Sequence, residues 1–294
     1  MTEDEFAAYQ SLAGETEDHR WAFGTGFTDP LDGIDTSVPD GVDPAALAAY
    51  CLMLGDDALI YSHRLQQWMT RMPELEEETA LANIALDLLG QARMLLARAG
   101  RAEAAGRDED QLAFFRDEHE FRNVRLVERP DGDFAELMAR LLVFSSWRLA
   151  LFGQLAGSGD PVLAAIAAKG VKELTYHRDY AAQRVIRLGD GTAVSHQKMQ
   201  AALGVVWPLT DELFRTDPVV AGLPGVAADP AQLRGDVAAV LDTVLAEAGL
   251  DRPPAAPMGL VAGRGGRDGT HTEAFGYVLA ELQSLARAHP DATW

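Results

Sequence analysis

Apolar and polar positions recur with a helical period along most of the chain, and strand-like alternation is nearly absent. The pattern predicts four long helices, at about residues 43–72, 74–99, 134–156 and 161–188. Asp43-Pro44 and Asp160-Pro161 each place a capping aspartate before a proline that suits the first helical turn. Pro73 separates the first two helices, and so short a connection predicts antiparallel neighbours.

Shorter helices follow the long ones and are predicted at about residues 108–117, 195–214, 230–249 and 273–288. Ser195 is the predicted N-cap of the second of these, and Pro208 is predicted to kink it. Residues 1–42 have no sustained period, so we expect a partly ordered arm there. The remainder, residues 43–294, is predicted to be one all-α domain with four long helices and additional shorter ones.

Composition and charge exclude several classes of function. The formal net charge of −20 repels nucleic acid and anionic lipid, so neither is expected as a partner. No apolar run approaches the ~20 residues of a membrane span, and the acidic N-terminus is unlike a signal peptide. Cys51 is the only cysteine in the 294 residues, which excludes an internal disulfide and favours the reducing cytoplasm.

The second long helix carries the first candidate chemistry. It is apolar on nearly all sides, so we expect it to be buried centrally, with Gly100 as its stop. Asn83, Asp87 and Gln91 recur every four residues and therefore share one face. Since buried polar groups need partners, this face should meet polar side chains of the neighbouring helices. Other central polar residues are Asp56, Asp57, Glu173 and His177.

Acids at mid-helix are typical of carboxylate-bridged di-iron bundles, in which two helices give one Glu each and two give Glu-x-x-His. No Glu-x-x-His occurs in this chain. Gly90 stands where the histidine paired with Asp87 would be, and we expect it to allow close helix packing. Two irons therefore lack ligands. One metal held by Asp57, Asp87, Glu173 and His177 and a metal-free polar core both remain open.

A glycine-rich run at residues 263–270 contains Arg264 and Arg267. It lacks the Gly-Lys-Ser/Thr of a P-loop and follows no predicted strand. The two arginines could meet a phosphate, coenzyme A included, or an acidic partner. A flexible linker is the favoured interpretation.

Several stretches together carry a resemblance to a known family. The most specific is Asn83-Ile-Ala-Leu-Asp-Leu-Leu-Gly-Gln-Ala-Arg, and the others include residues 54–60, 114–123, 126–135, 163–177, 187–192 and 271–273. They span about residues 50–294 in family order. The chain resembles the non-catalytic, ferritin-like subunit of the phenylacetyl-CoA epoxidase complex, a ring-hydroxylating monooxygenase. The N-terminal arm is longer than that family's pattern.

The resemblance implies a ferritin-like bundle and a division of labour. A homologous partner subunit would hold the di-iron site and epoxidise the ring of phenylacetyl-CoA. Electrons would come from NADPH through a reductase that carries FAD and an iron–sulfur cluster. This chain would pair with the catalytic subunit and with other subunits, and would keep the catalytic subunit folded and soluble. It would have no catalytic, cofactor-binding or metal-binding residue. Its vestigial polar core would consist of Asp57, Asn83, Asp87, Gln91, Glu173 and His177.

Two other functions are compatible with the sequence. The first is a metal-binding oxidase or oxygenase that is active on its own through Asp57, Asp87, Glu173 and His177. The second is a self-associating bundle for metal storage or scaffolding. Bound iron or manganese would favour the first, and a homo-oligomer would favour the second.

Overall fold

The computed structural model describes residues 31, 33–254 and 264–292. All but the first of them belong to a unit that spans Gly33–Trp294. The rest of the predicted arm, residues 1–30 and 32, lies outside the described residues, as do residues 255–263 of the glycine-rich region. Residues 36 and 37 are described, and their carbonyl oxygens accept hydrogen bonds of 2.6 and 3.1 Å from Arg98.

The described residues form helices and no strand, as predicted. The nine α-helices are α1 (Pro44–Gln66), α2 (Leu75–Ala102), α3 (Glu109–Phe114), α4 (Phe134–Leu155), α5 (Pro161–Gly189), α6 (Ala193–Val206), α7 (Pro218–Ala221), α8 (Arg234–Glu247) and α9 (Glu273–Ala288). The four long helices α1, α2, α4 and α5 form the bundle, and the prediction of an all-α, ferritin-like bundle is confirmed.

Aspartates start three of the long helices. The Asp43 carboxylate accepts from the N–H of Ala45, and the Asp160 carboxylate accepts from the N–H of Leu163. Each precedes a proline at the first helical position, as the Asp-Pro pattern predicts. Asp133 caps α4 in the same way. The carboxylates satisfy N–H groups that would otherwise lack partners at the helix start.

Two predicted helix ends differ from the structure. The helix predicted to reach residue 72 ends as α1 at Gln66, and residues 69–71 form a 3₁₀ turn. Gly100 does not stop α2, which continues to Ala102. Its role is to let the chain pass closely, because a Cβ at position 100 would lie 1.8 Å from the carbonyl oxygen of Arg107.

The predicted fifth helix also differs. Its N-cap is Thr192 rather than Ser195, and the two residues cap each other's N–H groups. Pro208 does not kink a continuous helix. The α-helix ends at Val206, and short 3₁₀ turns follow it to residue 214.

The bundle is built from two closely packed pairs, α1 with α2 and α4 with α5. The first pair is antiparallel, since Ser62 Oγ donates to the Ala85 carbonyl oxygen at 2.6 Å while Gly55 packs against Leu96. Contact between α2 and α5 is less extensive and joins the two pairs on one side. Core side chains include Leu47, Ile60, Leu88, Leu141, Trp147 and Leu174.

Burial differs sharply between the two helices of the first pair. Both are long and apolar enough to cross a membrane by length and composition alone. Within the most apolar window of each, 78% of the residues of the first helix are buried, but only 44% of those of α2. The expectation that α2 is buried centrally is therefore wrong, and one of its faces is open. The expectation that Gly90 allows close helix packing is not met either, because a Cβ there would have no described atom within 4 Å.

A buried ion pair fixes the turn before α4. Arg140 of α4 is fully buried and donates to the carbonyl oxygens of Leu126 and Arg129. Its Nε lies 2.9 Å from Asp131 Oδ1, in a geometry too poorly aligned for a hydrogen bond. Burial raises the pKa of Asp131 to about 6, although Arg140 opposes the shift. Folding thus shifts this carboxyl toward its neutral form, which predominates in the folded state only below about pH 6.

Asp131→Asn should therefore remove a pH dependence of stability. The folded pKa of about 6 exceeds the ordinary value of 3.8, so between these values the folded chain binds more protons than the unfolded chain. The stability contributed by protonated Asp131 is complete below pH 3.8 and is lost as pH rises through 6. Urea unfolding should show the variant gaining on the wild type by on the order of 2 kcal/mol between pH 4 and pH 7. A difference that stays constant, or that changes in the opposite direction, would contradict the shift.

Candidate functional site

Asp57 lies at the centre of α1 with no exposed surface. Its Oδ1 accepts from the N–H of Val124 at 2.9 Å, and its Oδ2 accepts from Arg267 Nη2 at 2.7 Å. Burial raises the pKa of Asp57, and the charge of Arg267 opposes that effect. A guanidinium and a backbone N–H therefore hold the carboxylate that the sequence offers as a candidate metal ligand.

Arg267 is almost fully buried, with 8% of its side chain exposed. It also donates to the carbonyl oxygens of Met53 and Arg122, each at 2.7 Å. Gly266 makes this approach possible, because a Cβ there would lie 2.1 Å from the carbonyl oxygen of Asn123. The interpretation of this stretch as a flexible linker is wrong for Arg267. Arg264, in contrast, is exposed and donates to the carbonyl oxygen of Asp268.

Asp56 is neutralised in the same manner by a different arginine. Both carboxylate oxygens accept from Arg116, one of them at 3.0 Å, and Oδ2 also accepts from the N–H of Arg122 at 2.8 Å. The Arg116 guanidinium lies over the ring of Phe121, 4.0 Å from its centroid. The two central carboxylates of α1 thus have separate cationic partners.

Arg148 projects from α4 into the middle of the bundle and is fully buried. Its Nε donates to Gln91 Oε1 at 2.9 Å, and Gln91 Nε2 donates to Glu173 Oε2 at 2.9 Å. The guanidinium also lies 4.5 Å from the ring centroid of Phe152. Burial lowers the pKa of Arg148 to about 10, which leaves it positively charged at neutral pH. A relay of polar contacts therefore links α4, α2 and α5 around a cation.

His177 and Asp87 form a separate contact between α5 and α2. The distance from His177 Nε2 to Asp87 Oδ2 is 3.0 Å. The histidine side chain is 1% exposed and the aspartate side chain is 37% exposed, so the pair lies at the outer edge of the helix contact. Asn83, the third member of the predicted polar face, is exposed. It belongs neither to the contacts that link Arg148, Gln91 and Glu173 nor to the contact between His177 and Asp87.

Two further buried polar groups lie outside the residues that the sequence pattern indicates. On the contact between α2 and α5, Glu77 accepts from Tyr180 Oη and lies 2.7 Å from Arg184 Nη2. At the start of α9, Glu128 Oε1 lies 2.7 Å from His271 Nδ1, and both side chains have no exposed surface. A buried acid next to an aromatic hydroxyl or an imidazole is a long-range pairing that helical periodicity does not reveal.

The donor set does not fit a di-iron centre. Within residues 31, 33–254 and 264–292, no group of three or more His, Cys, Asp or Glu side chains is placed to hold a metal ion. The four predicted ligands are distributed over three contacts: Asp57 with Arg267, Glu173 with Gln91, and Asp87 with His177. The cations Arg148 and Arg267 sit among them, and positive charge at this position repels a metal ion.

Comparisons with known proteins agree with the residue pattern. A family model described as phenylacetic acid catabolic protein matches residues 35–294. One of the subunits of the 1,2-phenylacetyl-CoA epoxidase of Escherichia coli (strain K12) is 47% identical over 251 residues. The match covers 84% of this chain and 99% of that relative.

Arg267→Met should destabilise the chain, because it leaves Asp57 buried without its counter-charge. We expect a loss of about 3–5 kcal/mol in the free energy of unfolding, measured by urea denaturation at pH 7. Adding Asp57→Asn should recover about 1–3 kcal/mol of that loss, since the pair is in direct contact.

Arg264→Met is the matched control. It removes an exposed arginine three residues away and should change the free energy of unfolding by less than about 0.5 kcal/mol. Two outcomes would show that the buried pair does not stabilise this region. One is an equal loss in the free energy of unfolding for the two arginine variants. The other is a double variant whose loss equals the sum of the losses for Asp57→Asn and Arg267→Met.

Proposed function

The chain belongs to the phenylacetic acid catabolic protein family, and we propose that it is a structural, non-catalytic subunit of a phenylacetyl-CoA epoxidase in aerobic phenylacetate degradation. In this role it binds and stabilises a homologous subunit that carries the di-iron site. The observation that carries the proposal is the arginine-rich core, in which Arg267 binds the candidate ligand Asp57 and Arg148 binds Gln91, the partner of Glu173.

The core gives this role a physical basis. In a di-iron bundle the metal ions neutralise the buried carboxylates, so the bundle's interior depends on metal loading. Here the same electrostatic task falls to Arg267 at Asp57 and to the relay from Arg148 through Gln91 to Glu173. These contacts need no metal. The chain can therefore keep its shape while the partner gains or loses iron.

The chemistry is assigned to the other members of the complex. The partner subunit would bind iron and activate dioxygen, and a reductase with FAD and an iron–sulfur cluster would deliver electrons from NADPH. This chain would contribute surface and rigidity and would work in the cytoplasm. The rival proposal, an oxidase built on Asp57, Asp87, Glu173 and His177, gains no support from the separation of these side chains into three contacts.

Metal content tests the proposal directly. The chain expressed alone in iron-rich medium should contain far less than one metal ion per molecule by elemental mass spectrometry, because Asp57 is paired with Arg267 and the candidate ligands lie in three separate contacts. The di-iron subunit, expressed in the same medium, is the positive control for loading. One or two iron or manganese ions per folded chain would overturn the structural role.

Turnover of the assembled complex gives an independent test. Asp87→Asn and His177→Gln replace the predicted metal ligands with side chains of similar shape. In complexes of unchanged composition, phenylacetyl-CoA epoxidation per di-iron site should stay within about twofold of the wild type, since neither residue would touch reacting atoms. A large loss of kcat with the complex intact would place catalysis in this chain.

A further inference from the structure

A cavity of about 330 Å³ opens where the end of α1, the turn before α4 and the middle of α9 meet. Its volume falls in the range of roughly 300–1,000 Å³ that is usual for small-molecule sites. We call it the Asp131 cavity, and its lining consists of Arg64, Gln67, Trp68, Arg71, Pro130, Asp131 and Glu281. Two of these side chains are cations and two are acids, so the cavity offers charges of both signs.

Asp131 gives the cavity a buried acceptor that lacks a donor. The residue lines the cavity, its side chain is 1% exposed, and its Oδ1 has no hydrogen-bond partner among the described residues. Arg140 provides a positive charge 2.9 Å from this oxygen but is too poorly aligned to donate to it. Because buried polar groups normally have hydrogen-bond partners, this oxygen indicates a ligand that donates.

Glu281 places a second acid at the same cavity. Its side chain is 59% exposed, and its Oε2 accepts a hydrogen bond from Gln67 Nε2. His63 Nε2 lies 3.4 Å from the same oxygen. No lysine or arginine among the described residues pairs with Glu281, so this acid is available to a cationic group of a ligand.

The two cations of the cavity likewise lack carboxylate partners. Arg64 is 6% exposed, and its hydrogen bonds go to two backbone carbonyl oxygens and to Gln67 Oε1, all of which are neutral acceptors. Arg71 is exposed and forms no hydrogen bond or ion pair with any described residue. Its guanidinium lies 5.9 Å from the ring centroid of Trp68. Both arginines therefore favour an anionic group at the cavity.

One amide group separates the positive side of the cavity from the negative side. Arg64 Nη1 donates to Gln67 Oε1 at 2.8 Å, while Gln67 Nε2 donates to Glu281. The two sides are thus only a few bonds apart, and one small molecule can contact both. Trp68 and Pro130 add an apolar wall.

The lining suits a ligand that carries both charges. A simple anion is attracted by the two arginines but repelled by the two acids, and a simple cation meets the reverse. A zwitterion places each charged group against its opposite. An aromatic or large aliphatic side chain on the same molecule then packs against the tryptophan.

We propose that the Asp131 cavity binds a free α-amino acid with an aromatic or large aliphatic side chain. The ammonium group donates to Asp131 and Glu281. The carboxylate accepts from Arg71, and the side chain packs on Trp68. This inference is independent of the proposed function, since it uses none of the contacts in the arginine-rich core.

Three probes that share a benzene ring test the ligand class by titration calorimetry of the full chain at pH 7. L-phenylalanine has both charged groups, phenylacetate lacks the ammonium, and phenethylamine lacks the carboxylate. Phenylalanine should bind at least ~10-fold more tightly than either of the others, since each of them loses charge-assisted hydrogen bonds. Equal affinity for phenylacetate or phenethylamine would overturn the zwitterion assignment. No binding of phenylalanine or of L-leucine at about 10 mM would refute the site itself.

Asp131→Asn and Arg71→Gln each remove one charge of the cavity and should weaken phenylalanine binding by at least ~10-fold. Arg71 is exposed, so its variant keeps the test decisive if Asp131→Asn folds poorly. Arg252→Gln is the matched control and should bind like the wild type. Arg252 also lies over a tryptophan, 5.2 Å from the ring centroid of Trp207, but outside the cavity. Unchanged affinity in both cavity variants would show that phenylalanine binds elsewhere and would refute the assignment.

The pH dependence of binding tests the contact with Asp131. The charged and titratable groups that face this residue or share its cavity are Tyr61 and Arg64 on α1, Arg129 in the same turn, Glu136 and Arg140 on α4, and Glu281 with its neighbour His63. Burial raises the pKa of Asp131 to about 6, so a proton competes with the ammonium of the ligand for this carboxylate. Affinity for phenylalanine should therefore fall about tenfold from pH 7 to pH 5, and by much less in Asp131→Asn. The same wild-type affinity at both pH values would contradict a contact between the ammonium and Asp131.

Discussion

Carboxylates buried inside a helical protein must be neutralised, and in this chain guanidinium groups neutralise three of them. Arg116 holds Asp56, Arg267 holds Asp57, and Arg98 holds Asp160, each with little or no exposure of either partner. Because these arginines come from loops and from other helices, satisfying the acids also fixes the positions of the connecting segments. The segment that contains Arg116 and Arg122 and the turn that contains Arg267 are held in place by this electrostatic requirement.

The local parts of the structure could be predicted from the sequence, whereas the pairings could not. The starts of α1 and α5 follow from Asp-Pro signals that act within a few residues. The partner of Asp57 is 210 residues away, in a glycine-rich run whose composition is typical of a linker. Nor does helical periodicity distinguish an apolar face that packs inside a chain from one that packs against another chain. For this reason the periodicity alone predicts a central position for α2.

The interior and the open surface complement each other in the proposed role. Arginines neutralise central acids of the bundle, while α2 is buried over only 44% of its most apolar window and leaves Leu75, Leu86 and Leu89 exposed. In a catalytic di-iron bundle, by contrast, the central acids bind metal ions instead of arginines. One fold can thus serve chemistry in one protein and support in another through a change in what neutralises its central acids.

The contact between Asp57 and Arg267 also bears on how the chain is made. The ribosome synthesises the acid of this pair 210 residues before its cation. At about 5–20 residues per second, the delay is roughly 10–40 s. During that time α1 and α2 have been synthesised, but the Asp57 carboxylate still lacks the arginine that neutralises it in the folded chain. The core around Asp57 is therefore completed only after Arg267 has been synthesised, and truncated products that end before Arg267 keep a buried acid without its cation.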